Sequence, residues 1–366
     1  MSNEFIMQMR PWFGDEEKNA INKYMQEDGF ITEFKNTELL EKEIAKFTNS
    51  KECILVNNGT ISLTLAALAL DIKAGDEIII PNYTMIAGPN SMQIFGGKPI
   101  FVDVESETLC LDFNKTKAAI TPKTKAIMLM SANGRYPKSG IEAFLELCKS
   151  KNISLIEDAA QSLGSFYPDG AHIGTKGDIG SFSFSAPKII STGQGGALIT
   201  DNESVAIKLR KLKDFGRSSG GNDYHDSIGY NFKFTELQAV IGIEQMKKLS
   251  WRIDRKKDIY NRYMDNLSHV KEIIFFEHNF EFTSPWFIDC LAEKREDLQD
   301  YLKKNMIGTR IMYPPINQQK AYNYDGSFPV SENIGKFGLW LPSMSQLTDH
   351  QIDFITEKII EFYSKA

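Results

Sequence analysis

Asp158 and Lys188 are the two residues of this sequence whose type and setting best suit chemistry. Residues 153–157, Ile-Ser-Leu-Ile-Glu, form a short run rich in strand formers that ends abruptly in the acid. The carboxyl end of a buried strand is where α/β sheets gather ligands and reacting groups. Lys188 comes thirty positions later, after a second strand-like run at 180–185 and before the glycine-rich turn Thr192-Gly193-Gln194-Gly195-Gly196. An amine hemmed in by apolar and glycine residues loses hydration, which lowers its pKa and makes it a usable nucleophile.

An acid and a lysine are also the two anchors that pyridoxal phosphate needs. The lysine forms a Schiff base with its aldehyde, and the acid keeps the pyridine nitrogen protonated so that the ring draws electrons. Such pairs are common, so spacing alone does not single out this chemistry, but the wording does. Glu157-Asp158-Ala159-Ala160-Gln161 is followed by Gly177-Asp178-Ile179-Gly180-Ser181-Phe182-Ser183-Phe184, then by Lys188, then by the Thr-Gly-Gln-Gly-Gly turn. In that order the four elements resemble the signature of the nucleotide-sugar aminotransferases of the DegT/DnrJ/StrS type, fold-type-I pyridoxal-phosphate enzymes. The similarity extends over nearly the whole chain.

The resemblance implies a role for each matching residue. Lys188 and Asp158 are the catalytic pair, and Gln161 bonds the cofactor 3-hydroxyl. Asn57-Asn58-Gly59-Thr60 matches a Ser-Asn-Gly-Thr element whose glycine and threonine hold the phosphate; the N–H groups of a helix beginning near residue 61 would make such an anion site without a charged side chain. Ser183 matches a serine that bonds the same phosphate. Residues 228–238, IGYNFKFTELQ, match an element whose asparagine, here Asn231, reaches the cofactor phosphate of the other subunit, which implies a homodimer with shared active sites. Each has a plainer reading too: Asn-Gly-Thr as a turn and helix cap, Asp158 as a helix N-cap with Gln161 one turn on, Ser183 as one polar residue of an alternating strand, Thr235 as an N-cap.

Three positions depart from the family. Met85 stands where many members set an aromatic over the cofactor ring, and its sulfur packs on rings at modest gain. Ser131-Ala132-Asn133-Gly134, with Arg135 following, replaces His-Leu-Tyr-Gly, and Pro315-Ile316-Asn317-Gln318-Gln319 replaces Pro-Leu-His-x-Gln. The last two are expected toward the substrate side, where they bear on sugar identity and not on the reaction.

Elements able to position these residues are legible. Strand-like runs occur at 53–56, 77–80, 99–104, 126–130, 153–157, 180–185 and 196–200, with helical stretches such as 61–69 and 141–150 between them. Near-continuous apolar strands alternating with helices predict an α/β fold: a seven-stranded, mainly parallel sheet covered on both faces. Asn36-Thr37 is expected to cap an amphipathic helix carrying Leu39, Leu40, Ile44 and Phe47 after an N-terminal lead-in. Residues 206–215 and 235–249 read as helices closing a large domain, 1–249. From 250 the texture changes to a charged helix over 252–267, then mixed pieces, read as a smaller α+β domain, 250–366.

Composition narrows the function classes. The chain has 366 residues, 42% hydrophobic and 25% charged, with net charge −6, which gives no pull toward nucleic acid or anionic membrane. Basic clusters at 208–213 and 252–257 read as solvated helix faces. Four scattered cysteines and five histidines show no metal-ligand or disulfide spacing, which fits a reducing cytoplasm. The N-terminus lacks the pattern of a signal peptide, and no run is long enough to span a membrane. The resemblance implies transfer of an amino group from L-glutamate to a nucleotide-linked keto sugar, a 4-keto-6-deoxyhexose as in the branch making perosamine, for surface glycan biosynthesis. A 3-keto sugar aminotransferase and a non-catalytic regulatory protein on the same fold are the alternatives. Lys188 argues against the dehydratase branch, which has histidine at that place.

Overall fold

The structure is a computed structural model that describes residues 4–27, 29–218 and 223–365. The first three residues of the lead-in therefore lie outside the described residues. Seven strands form one sheet: β1 (Glu52–Val56), β2 (Glu77–Pro81), β3 (Lys98–Val102), β4 (Thr124–Met130), β5 (Ser154–Asp158), β6 (Ile179–Ser183) and β7 (Gly196–Thr200). They match the predicted runs to within two residues at either end. The order is β1-β7-β6-β5-β4-β2-β3, with β3, β2, β4, β5 and β6 paired in parallel and β7 antiparallel to both of its neighbours.

Alternation along each strand sends residues into two separate cores. Ile79, Ile127, Leu129, Leu155 and Ile199 face one side, while Ile78, Ile80, Met128, Ile156 and Leu198 face the other. Both faces are thus apolar, which is why the sheet needs helices on each side. Gly59–Ala69 and Glu203–Lys213 cover one face; Lys35–Thr48, Gly140–Lys151 and Glu236–Lys247 cover the other. A smaller antiparallel sheet follows, ordered β10-β11-β9-β8, from β8 (Ile273–Phe275), β9 (Ile288–Ala292), β10 (Arg310–Ile311) and β11 (Gly338–Leu341). It packs under the helices Leu249–Leu267, Arg295–Lys304 and Asp349–Lys365. The lead-in joins this layer: Ile6 is buried in its core and bridges Ile307.

Several local expectations are corrected. Asn36 and Thr37 do not cap the helix Lys35–Thr48 with their own side chains. Instead the Glu236 carboxylate accepts the N–H groups of Phe34, Asn36 and Thr37 at 2.7–2.8 Å, so the cap comes from the other end of the domain. A helix at Asp15–Gln26 was not signalled. No helix follows Asp158: its carboxylate accepts the Ala160 N–H at 3.2 Å and residues 160–161 form a turn. Nor are the basic clusters simply solvated faces. Lys213, Arg252 and Lys256 are buried, Lys213 against Glu33, Glu41 and the Leu55 carbonyl.

Among the described residues no helix is long and apolar enough to cross a membrane, and no cluster has the makings of a metal site. All four cysteines are free and buried.

Candidate active site

The site forms where β1, β5 and β6 end on the same edge of the large sheet. Past β1 the chain turns at Asn58, whose side chain caps the helix Gly59–Ala69 by accepting the Ile61 N–H at 2.9 Å. The first N–H groups of a helix have no intrahelical acceptor and carry the positive end of its dipole. Two close approaches set this turn. A Cβ on Gly196 would sit 2.7 Å from the Asn58 carbonyl carbon, and one on Gly59 would sit 2.9 Å from the Ser183 Cβ. Side chains there would push the helix start away from β7 and β6.

Asp158 closes β5 and is buried. Burial raises its pKa, opposed by the Ala160 N–H and by the charge of Lys188. Lys188 follows β6 in a tight turn, its N–H donating to the Ser185 carbonyl at 3.0 Å. Burial lowers its pKa to about 8, Arg310 pushes the same way, and Asp158 opposes them. Its Nζ lies 4.1 Å from the centre of the Trp286 ring. These groups share one cleft of ≈ 510 Å³, together with Gly59, Thr60, Met85 and Ser183. A carboxylate, a partly neutral amine and a helix N-terminus around one cavity equip it to hold an anion while an amine attacks a carbonyl.

Two predicted residues do not line this cleft. Gln161 sits behind the cleft, beside Lys188 and Trp286, where its oxygen accepts the Asn133 N–H at 2.7 Å and its side chain meets the Tyr313 hydroxyl. Asn231 is exposed, pairs through its backbone with Asp214, and does not line the cleft of its own chain.

The positions expected toward the substrate instead join the two layers. Arg135 is buried in an ion pair with Asp289 of β9 at 2.5 Å, and donates to the Thr108 carbonyl at 3.1 Å. Asn133, at φ 53°, exchanges hydrogen bonds with the backbone of Phe287 at 2.7 and 2.9 Å. Asn317 pairs with the buried Asn82 beyond β2 at 2.8 and 2.9 Å. The cleft in turn contains residues that sequence reasoning passed over: Gln194, Trp286, Arg310 and Tyr313. Gln194 lay within the quoted glycine turn; the other three come from beyond residue 250 and carry no local signal.

Known proteins share both sequence and architecture with this chain. Residues 12–360 match the DegT/DnrJ/EryC1/StrS aminotransferase family. The chain is 34% identical to a GDP-perosamine synthase of Escherichia coli O157:H7, over 99% of each protein, and 30% identical to that of Vibrio cholerae, over 97% of this chain and 98% of that one. Its fold is similar to that of S. venezuelae DesV, solved with a ketimine intermediate: TM-score 0.89, 27% identity, 95% of this chain and 94% of the other. With the match running through both sheets and all the strand-end residues described above, the chain belongs to the DegT/DnrJ/EryC1/StrS aminotransferase family and is an aminotransferase.

Proposed function

We propose that the protein transfers an amino group from L-glutamate to a nucleotide-linked 4-keto-6-deoxy sugar, using pyridoxal 5′-phosphate held in the cleft at the carboxyl edge of the large sheet. One observation carries this reading: Lys188 and Asp158 meet in a single cleft with the N-terminus of the Gly59–Ala69 helix. The residues fit the cofactor. The space that a Gly59 Cβ would fill lies against Ser183, so the N–H groups of Gly59 and Thr60 and the Ser183 hydroxyl make a phosphate seat. Asp158 would accept a hydrogen bond from the pyridine nitrogen and keep it protonated, and Met85 would cover a ring face. The Gln161 oxygen is taken by Asn133, which leaves its –NH₂ to donate to the 3-oxygen.

When bound, the cofactor supplies a carbonyl carbon that carries the amino group and a protonated ring that draws electrons from the reacting bonds. Lys188 does the rest of the work. Its neutral Nζ would hold the cofactor's aldehyde until the incoming amine displaces it, and would then be free to move the proton from the substrate carbon. Burial behind Trp286 keeps that Nζ partly neutral near physiological pH. Asp158 has the opposite duty, to stay charged, which Lys188 and the Ala160 N–H favour against burial.

The choice of a 4-keto sugar is supported by identity to GDP-perosamine synthases. A homodimer is part of the proposal, because exposed Asn231 is flanked by Ile228 and Tyr230, themselves 80% and 45% exposed. So are the division into domains 1–249 and 250–366 and a cytoplasmic site of action, the latter supported by four free buried thiols. The deciding experiment incubates the loaded protein with glutamate and a panel of nucleotide 4-keto-6-deoxy and 3-keto sugars. Mass spectrometry should find an amino sugar from the 4-keto set; amination of none of them sinks the proposal.

A further inference from the structure

One helix holds the chain on both sides of Lys188. Arg252 and Lys256 lie one turn apart on Leu249–Leu267, and both are buried. Arg252 donates to the Ile189 carbonyl at 2.8 Å, the residue just after Lys188, and to Gln245 Oε1 at 2.6 Å. Lys256 donates to the Trp286 carbonyl at 2.8 Å and to the Ser343 carbonyl. Trp286 passes the contact on: its indole N–H donates to the Pro187 carbonyl at 2.7 Å, the residue just before Lys188, and its ring lies against the Lys188 amine.

The partners of these two cations are carbonyl and amide oxygens, not carboxylates. Burying charge without a directly paired counter-charge is unfavourable: burial lowers the pKa of Arg252 to about 10 against the opposing charge of Glu17, and burial together with the charge of Arg252 lowers that of Lys256 to about 7. Two apolar side chains would fill the same space without that penalty. What the cations add is a set of directed donors, Arg252 aimed at the peptide carbonyl that follows Lys188 and Lys256 at the backbone of Trp286, whose indole holds the carbonyl that precedes it.

We propose that Arg252 and Lys256 are positioning residues for the Lys188 amine, Arg252 acting directly on Ile189 and Lys256 acting through Trp286 on Pro187. The proposal rests on the reading of Lys188 as the cofactor-bearing lysine. Its consequence is that the enclosure of Lys188 depends on a residue that never touches the cleft. Loosening Trp286 admits water to the amine and removes the burial that lowers its pKa.

The test uses the full-length protein without cofactor. Competitive acetylation across pH, read by peptide mass spectrometry, follows the titration of Lys188 itself. Lys256→Met keeps the buried stem and loses the donors; Trp286→Phe loses the indole link. In both, the Lys188 midpoint should rise by about one unit, a tenfold smaller neutral fraction at neutral pH. Because the two act in series, the double variant should shift no further than either single one. An unmoved midpoint in folded variants overturns the proposal, and so do additive shifts. Should Lys256→Met fail to fold, Trp286→Phe decides by the same criterion. Borohydride trapping of pyridoxal phosphate on wild-type Lys188 separates the two claims: no trapping refutes the proposed function, whereas trapping with unmoved midpoints refutes only the positioning role.

Discussion

Lys188 is half-buried and Lys256 fully buried, and both have lowered pKa values, about 8 and about 7, yet their surroundings differ in kind. Lys188 opens onto a cleft of ≈ 510 Å³ that also holds the carboxylate Asp158. Lys256 is sealed between two carbonyl oxygens and packs over the Phe287 ring. The larger shift belongs to the residue with no room for a substrate. Desolvation alone therefore does not mark a nucleophile; access and a complementary acid do.

The largest expected effect breaks the comparison outright. Lys188→Ala should lower amino transfer by several orders of magnitude, since the covalent step and the proton-moving group disappear together. Near-normal turnover in single-turnover assays would mean that the open lysine is not the reactive one.

Next comes the seam to which Lys256 belongs. Asp289→Ala leaves the Arg135 guanidinium buried and unpaired, which should cost about 3–5 kcal/mol. Urea unfolding measures it, and a loss below about 1 kcal/mol would show that the pair behaves as a surface one.

Reactivity sharpens the contrast between the lysines. At neutral pH a bulky amine reagent should modify Lys188 at least about tenfold faster than Lys256, despite the lower pKa of the latter, because thiol- and amine-type reactivity follows access as well as ionisation. Equal rates would place the difference in ionisation alone. The pH dependence has a definite sign. The neutral amine is the nucleophile, and its pKa is lowered from 10.5 to about 8. Coupling of pyridoxal phosphate to the empty protein should therefore rise about tenfold per unit below that value and level off above it; a rise continuing to that of an ordinary lysine would show an exposed amine. The smallest effect is at Asn231→Ala, which should weaken cofactor binding by about tenfold if a charged-group hydrogen bond is lost across the dimer. Unchanged affinity in equilibrium dialysis would remove Asn231 from the site.

Much of this molecule was legible in the sequence. The seven strands were readable because each is a compact apolar run, and their alternation with helices dictated a sheet covered on both faces. Asp158, Lys188, Gly59, Thr60, Met85 and Ser183 stand at the ends of those runs, and strand ends on one edge of a sheet converge. What stayed hidden depends on contacts between distant segments. Glu236 looked like one residue of a helix start, and only packing revealed that its carboxylate caps a helix two hundred positions earlier. Arg252 and Lys256 looked like a solvated face, since a one-dimensional pattern of charges does not say which side of a helix meets another layer. Arg135 and Asn133 could be placed only toward the substrate side, and Trp286 nowhere in particular, until β9 was laid beside the large sheet. The sequence by itself determined the strands of the large sheet and the family, and it singled out Asp158 and Lys188, because those reside in short runs with their own periodicity and wording. Tertiary structure decided how the reacting amine is enclosed, because burial and hydrogen-bond partners belong to no single stretch of chain.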